Sequence, residues 1–176
     1  MNDNPLAIEI ARRIDQLIST TRLHDIALLL HSDREQRVGN LAQSIALLEA
    51  GGYIIGCGPY NCGLMKVTVD EITIGRPASP MERPAEGIAD FQMNDAIWLR
   101  PREVSRIHAT IIRQRHKDVI KYFLRDERST MGTYLNGKRL QDEPGSGEIS
   151  NPAVLETFDQ ISLGPSGINS FIFVIV

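Results

Sequence analysis

The chain has 176 residues, of which 42% are apolar and 23% charged, and its formal net charge is −3. These values fit one soluble globular domain with a small accessory element. The weakly acidic balance argues against a general nucleic-acid binder, and no apolar run approaches the ~20 residues that a bilayer demands.

Taken in chain order, the first signal is Asn4 followed by Pro5. It predicts a helix whose N-cap is the asparagine and whose first residue is the proline. Leu6, Ile10, Ile14 and Leu17 then recur at helical spacing and share one face. Ser19-Thr20-Thr21 marks a break, and His24 to His31 reads as a short apolar helical turn. Asp33 can cap a further helix with Val38, Leu41, Ile45 and Leu48 as its stripe, stopped by Gly51-Gly52. Residues 1–52 are thus expected to form a helical extension. Its stripes pack on the rest of the chain or on each other; in the sharper reading they pair two chains into a homodimer.

From Tyr53 onward the runs are short, β-branched and punctuated by turns. Strands are expected at 53–56, 64–69, 71–74, 97–99, 109–115, 119–126, 133–135, 160–163 and 170–176, with Asn136-Gly137 as a hairpin signal. The fold class that follows is mainly β, an antiparallel β-sandwich over residues 53–176 preceded by the α-helical region. Residues 77–93 hold three prolines and little periodicity, and read as a long loop beside Arg76. Cys57 and Cys62 flank the turn sequence Gly58-Pro59-Tyr60-Asn61 and are expected to be free thiols. Trp98 is expected in the core and Asp126-Glu127-Arg128 in an exposed loop, while His24, His31 and His116 carry no special chemistry.

Three loops hold an ordered series of polar residues. Ile74-Gly75-Arg76 ends one predicted strand, Val104-Ser105-Arg106-Ile107-His108-Ala109 opens another, and Ser129-Thr130-Met131-Gly132-Thr133 precedes a third. A phosphate monoester carries about −1.5 to −2 charge and three acceptor oxygens. It is best met by a planar guanidinium, a hydroxyl donor and backbone N–H groups in tight turns, all held in place beforehand. Arg76, Ser105 and Thr130 are the residues of this series that supply such groups.

The series resembles the forkhead-associated (FHA) domain, a phosphothreonine-binding β-sandwich, and the likeness runs from about Tyr53 to Val176. Asn94-Asp95-Ala96-Ile97, Asn136-Gly137 and the segment Phe158 to Gly164 complete it. The resemblance implies that Arg76 forks onto the phosphate and that Ser105 donates its hydroxyl. It implies that Arg106 adds a backbone N–H and its charge, and that Thr130 contacts phosphate or peptide from the opposite loop. His108 is implied to brace the binding loop, Gly75 and Gly132 to permit its backbone shape, Asn136 to close a turn, Asp126 to orient the turn beside it, and Glu103 to lie where side chains beyond the phosphate are selected, its charge suiting basic ones. Two features depart from the family: residues 77–93 are inserted where members usually run almost directly into the asparagine-aspartate turn, and Met131 stands where an asparagine usually holds the peptide main chain. A thioether offers only a weak acceptor, so that contact is lost or replaced, and an adaptable apolar surface takes its place.

The function expected from this reading is a non-enzymatic, phosphothreonine-dependent adaptor in serine/threonine kinase signalling, located in the cytoplasm. No catalytic pair, cofactor motif or metal-ligand cluster accompanies the series. The partner is a phosphothreonine-containing protein, with neither nucleic acid nor membrane. The rival reading is a phosphate-independent assembly module working through its N-terminal helices. Residues 98–128 carry nine cations against four acids, a local +5 that leaves −8 for the remainder, and read either as a solvated pair of strands with alternating charges or as an electrostatic lure for an anionic partner.

Overall fold

The structure, a computed structural model, describes residues 4–20, 34–57, 64–78, 87–93, 102–140 and 150–176. The expected strand at 97–99, Trp98, Asn94-Asp95, His24, His31 and Cys62 lie outside them, as do the side chains of Leu17 and Leu41.

Among the described residues two helices precede eleven strands. Helix α1 is Pro5–Thr20 and α2 is Arg34–Ala46. The Asn4 side chain caps α1, its Oδ1 accepting from the N–H of Leu6 (3.1 Å) and Ala7 (3.4 Å). The strands are β1 (Gly52–Gly56), β2 (Leu64–Lys66), β3 (Glu71–Gly75), β4 (Phe91–Gln92), β5 (Ala109–His116), β6 (Val119–Asp126), β7 (Thr133–Leu135), β8 (Lys138–Arg139), β9 (Ala153–Leu155), β10 (Gln160–Leu163) and β11 (Ser170–Ile175). They form two sheets, β2-β1-β11-β10-β7-β8 and β4-β3-β5-β6-β9. All pairings are antiparallel except that of β3 with β4.

The sandwich core follows from alternation. Ile54, Ile72, Ile74, Ile111, Tyr122, Leu124, Ile161, Phe171 and Phe173 point between the sheets. Strands β1 and β11 are buried on both faces, because the helices cover the far side. There Ile55, Cys57, Ile172 and Val174 pack against Ala7, Ile10, Ala11, Ile14, Ala42 and Ile45. The α1 face so used is rotated from the expected stripe: the small Ala7 and Ala11 allow close approach, and Leu6 is 36% exposed. Helix α2 stops at Ala46, one turn short of Gly51. Gly52 instead serves a close approach: a Cβ there would meet the Tyr122 ring, and its N–H donates to Tyr122 Oη (2.9 Å).

Three strands were not expected from the pattern, β4, β8 and β9, each only two or three residues long. Strand β4 corrects the reading of 77–93 as irregular throughout. The end of that segment returns to β3, where Asp90 Oδ2 accepts from the Thr73 N–H (2.8 Å) and hydroxyl (2.6 Å), and the Met93 N–H donates to Gly75 O (2.8 Å). Among the described residues no helix is long and apolar enough to cross a membrane.

Candidate functional site

Sheet register gathers the loops. Ile74 pairs with Ala109, Ala109 with Asp126, and Thr133 with Leu163. The segments that leave these strands therefore meet at one end of the sandwich. They are 75–78 after β3, 102–108 before β5, 127–132 between β6 and β7, and 164–169 after β10.

Gly75 fixes the first junction. A Cβ at this position would collide with the Arg106 carbonyl and lie 3.0 Å from Ser105 O, so only glycine lets the 105–106 backbone lie flat on β3. Next to it, the Arg76 N–H donates to Ser105 O (3.1 Å). The Arg76 side chain is held on two sides, Nε donating to Val104 O (2.9 Å) and Nη1 to Pro77 O (3.1 Å). Its guanidinium is therefore oriented by backbone before any ligand arrives.

His108 ties the second loop to the third. Its ring is fully buried. Nδ1 accepts from the Ser105 N–H (3.0 Å), which leaves the proton on Nε2 to bond Gly132 O (3.2 Å). Burial holds the imidazole below its ordinary value of 6.5, against the opposing pull of the Gly132 carbonyl and the Asp126 carboxylate. A protonated ring would turn an N–H toward the Ser105 N–H, so geometry and burial both favour the neutral form. Ser105 Oγ accepts from the Thr130 N–H (3.1 Å), which aims the hydroxyl and leaves its hydrogen to donate.

The third loop hangs on Asp126, which is 4% exposed. Its Oδ1 accepts from the Ser129 N–H (2.9 Å), and its Oδ2 from the hydroxyls of Ser129 (2.6 Å) and Thr133 (2.6 Å). Ser129 Oγ accepts in turn from the Gly132 N–H (3.0 Å). The expected exposed loop at Asp126-Glu127-Arg128 is thus corrected at two of its three residues. Asp126 is buried, and half-buried Glu127 accepts from Thr110 Oγ1 and Arg125 Nε. Arg128 alone is exposed, in a left-handed turn (φ 58°).

Arg76, Ser105, Arg106, Thr130 and Met131 therefore sit on adjoining loops, with Thr130 exposed and Met131 half-buried. Gly75, His108 and Gly132 lie beneath them. Asn136 stands apart, at the other end of β7. Its side chain bonds Asp159 Oδ1 (2.7 Å) and accepts from the Gln160 N–H (2.9 Å), fastening the β7–β8 turn to β10.

The resemblance implies that Asp126 orients the neighbouring turn, but the buried Asp126–Ser129–Thr133 cluster itself was not expected from the sequence. Its signal was an aspartate three residues before a serine in a turn, where the carboxylate can bond the following backbone. Of the rim beyond Gly132 the sequence singled out Glu103 but not its packing. The Gly164 N–H donates to Gly132 O (2.9 Å), and Glu103, packed on Gly164, accepts from Ser166 Oγ. The basic stretch is divided rather than gathered. Arg113, Arg115, Lys117 and Lys121 belong to the far half of the β5–β6 hairpin, while Arg102, Arg106, Arg125 and Arg128 lie toward the site. Among the described residues no group of three or more His, Cys, Asp or Glu side chains could hold a metal ion.

A comparison with curated proteins gave no match. Among solved structures, full-length yeast Pml1p superposes with a TM-score of 0.55 at 17% identity, over 76% of this chain and 90% of that one, a likeness of fold. The Slr1951 protein of Synechocystis sp. matches at 26% identity and a TM-score of 0.48, over 73% and 99% of the two chains. The kinase-interacting FHA domain of the Arabidopsis kinase-associated protein phosphatase matches at 25% identity and a TM-score of 0.49, over 73% and 96%. A family model, the FHA domain, matches residues 72–164, which take in the 75–78, 102–108 and 127–132 loops, and the chain belongs to the FHA domain family.

Proposed function

We propose that the chain is a phosphothreonine-dependent, non-enzymatic adaptor that reads the output of a serine/threonine kinase in the cytoplasm. The observation that carries this reading is the Arg76 guanidinium, oriented by Val104 O and Pro77 O next to the strand-end loop that bears Ser105. A phosphate seated there meets a planar fork from Arg76 and the hydroxyl of Ser105, whose oxygen is already aimed by the Thr130 N–H. Arg106 adds positive charge. The peptide backbone then runs over Thr130 and Met131, and Met131 favours an apolar neighbour for the phosphothreonine. Membership of the FHA family supports the same reading.

The test is calorimetric titration with matched phosphothreonine and threonine peptides. Arg76→Ala is expected to cost roughly 1.5–3 kcal/mol, or about 10- to 150-fold in affinity for the phosphorylated form alone. Equal affinity for both peptides, in wild type and variant alike, refutes the proposal.

A second reading is favoured by the groove between α1 and α2, lined by Ile8, Arg12, Val38, Gly39 and Ala42. Here the helices are the working surface, binding a partner or a second copy of the chain without phosphate. Deleting them would uncover Ile55, Ile172 and Val174, so surface changes are the cleaner probe. Arg12→Glu with Val38→Asp is expected to abolish assembly, seen by sedimentation, while Arg76→Ala leaves it intact. Unchanged assembly in the groove variant refutes this reading.

A further inference from the structure

Arg139 lies on β8, opposite Tyr134 across the β7–β8 hairpin. Its guanidinium is laid over Gly132. A Cβ on that glycine would collide with Arg139 Nε and lie 3.0 Å from Cζ and 3.1 Å from Nη2. Gly132 is also the residue to which His108 ties the Ser105 loop and to which Gly164 donates. One imidazole ring and two hydrogen bonds therefore separate the phosphate loop from the backbone beneath Arg139.

This arginine is exposed, and none of the ion pairs among the described residues engages it. Arg125 differs, being matched to Glu127 (2.8 Å) and Glu71 (3.7 Å). On the Gly164 side of Gly132 the rim is acidic, where Glu103 is held by Ser166 Oγ. Gly132 thus has a guanidinium over it on the β8 side, and Gly164, its hydrogen-bonded neighbour on the β10 side, has a carboxylate packed on it. Next to Gly132 stands Met131, which has no amide to offer a peptide.

We propose that Arg139 selects a second anionic group on the phosphopeptide, a carboxylate or a second phosphate placed beside the phosphothreonine. This rests on the phosphothreonine reading of the Arg76 site. The chemistry is that of a planar, always-charged fork, fixed by packing on a glycine, meeting two oxygens of one anion. The glycine matters because any side chain at 132 would push the fork off the loop. Glu103 reinforces the choice by repelling the same anion from the Gly164 side, so the pair of charges also orients the peptide.

The experiment uses the intact chain and one parent phosphothreonine peptide with neutral flanks. Single Asp substitutions are scanned along the parent, and a second phosphothreonine is scanned in parallel, which separates the two sources of charge. At least one substituted peptide is expected to bind wild type roughly five- to tenfold more tightly than the parent, and the gain is expected to shrink with added salt. Arg139→Gln is expected to erase that gain and leave the parent's affinity within about twofold. Arg139→Lys keeps the charge without the fork and is expected to retain part of the gain. It also decides the matter if the glutamine variant melts early. Equal binding of parent and substituted peptides to wild type overturns the proposal, as does a gain that survives unchanged in Arg139→Gln and Arg139→Lys. If the parent peptide binds no better than its unphosphorylated twin, the Arg76 reading itself fails and takes this one with it.

Discussion

Replacing Asp126 by alanine would remove the acceptor for three donors, the Ser129 N–H and the hydroxyls of Ser129 and Thr133. A hydrogen bond to a charged acceptor contributes roughly 1.5–3 kcal/mol net, so three independent ones would set an upper bound of about 4.5–9 kcal/mol. The loss is smaller because the hydroxyls can rotate to other partners and water can enter the vacated space to accept from the Ser129 N–H, which cannot itself turn elsewhere. We expect Asp126→Ala to lose about 3–5 kcal/mol, a large part of the stability of a domain this size. Asp126→Asn keeps the shape and one good acceptor, and the Ser129 and Thr133 hydroxyls can accept from its amide. It is expected to lose about 1–2 kcal/mol. Urea unfolding reads both. With a slope of about 2 kcal/mol/M, the alanine variant moves the midpoint down by about 1.5–2.5 M and the asparagine variant by less than about 1 M. An Asp126→Ala midpoint shifted by under about 0.5 M, with the slope unchanged, would show that the carboxylate does not hold the 126–133 loop.

Three further expectations follow from the same site and its support. Gly75→Ala forces the Arg106 carbonyl away from β3, and is expected to destabilise by roughly 1–3 kcal/mol and to weaken phosphopeptide binding; wild-type stability and affinity together would refute the close approach. His108 is held neutral, so acid adds a proton to the unfolded chain that the folded chain resists. Its contribution is complete above about pH 6.5 and is lost as pH falls from there through the depressed folded value. Urea midpoints of wild type and His108→Gln at pH 7.5 and 5.5 are expected to converge on acidification; a constant gap contradicts this. Burial pushes the Cys57 thiol up to about 12. In a Cys62→Ser background a thiol reagent is therefore expected to react slowly with the folded chain and fast in urea, and equal rates would place Cys57 at the surface.

The sequence by itself determined the elements whose signals are local. The β5, β6, β7 and β10 segments read correctly because a strand's alternation and the turns that bound it occupy consecutive residues. The FHA motifs were legible for the same reason, each being a short string that ends or opens a strand. Only tertiary structure decided the rest. The helix face in use is set by the need to cover Ile172 and Val174, so small alanines displaced Leu6 from the contact. Asp126 looked like a surface acid until the β6–β7 loop folded its donors around it. The short β4, β8 and β9 have too few residues for any period to show, and exist because a longer neighbour offers them an edge. Glu103 met Gly164 across a sequence separation that no periodicity spans, while Arg139 met Gly132 through the β7–β8 hairpin; sheet register brings both contacts to one rim.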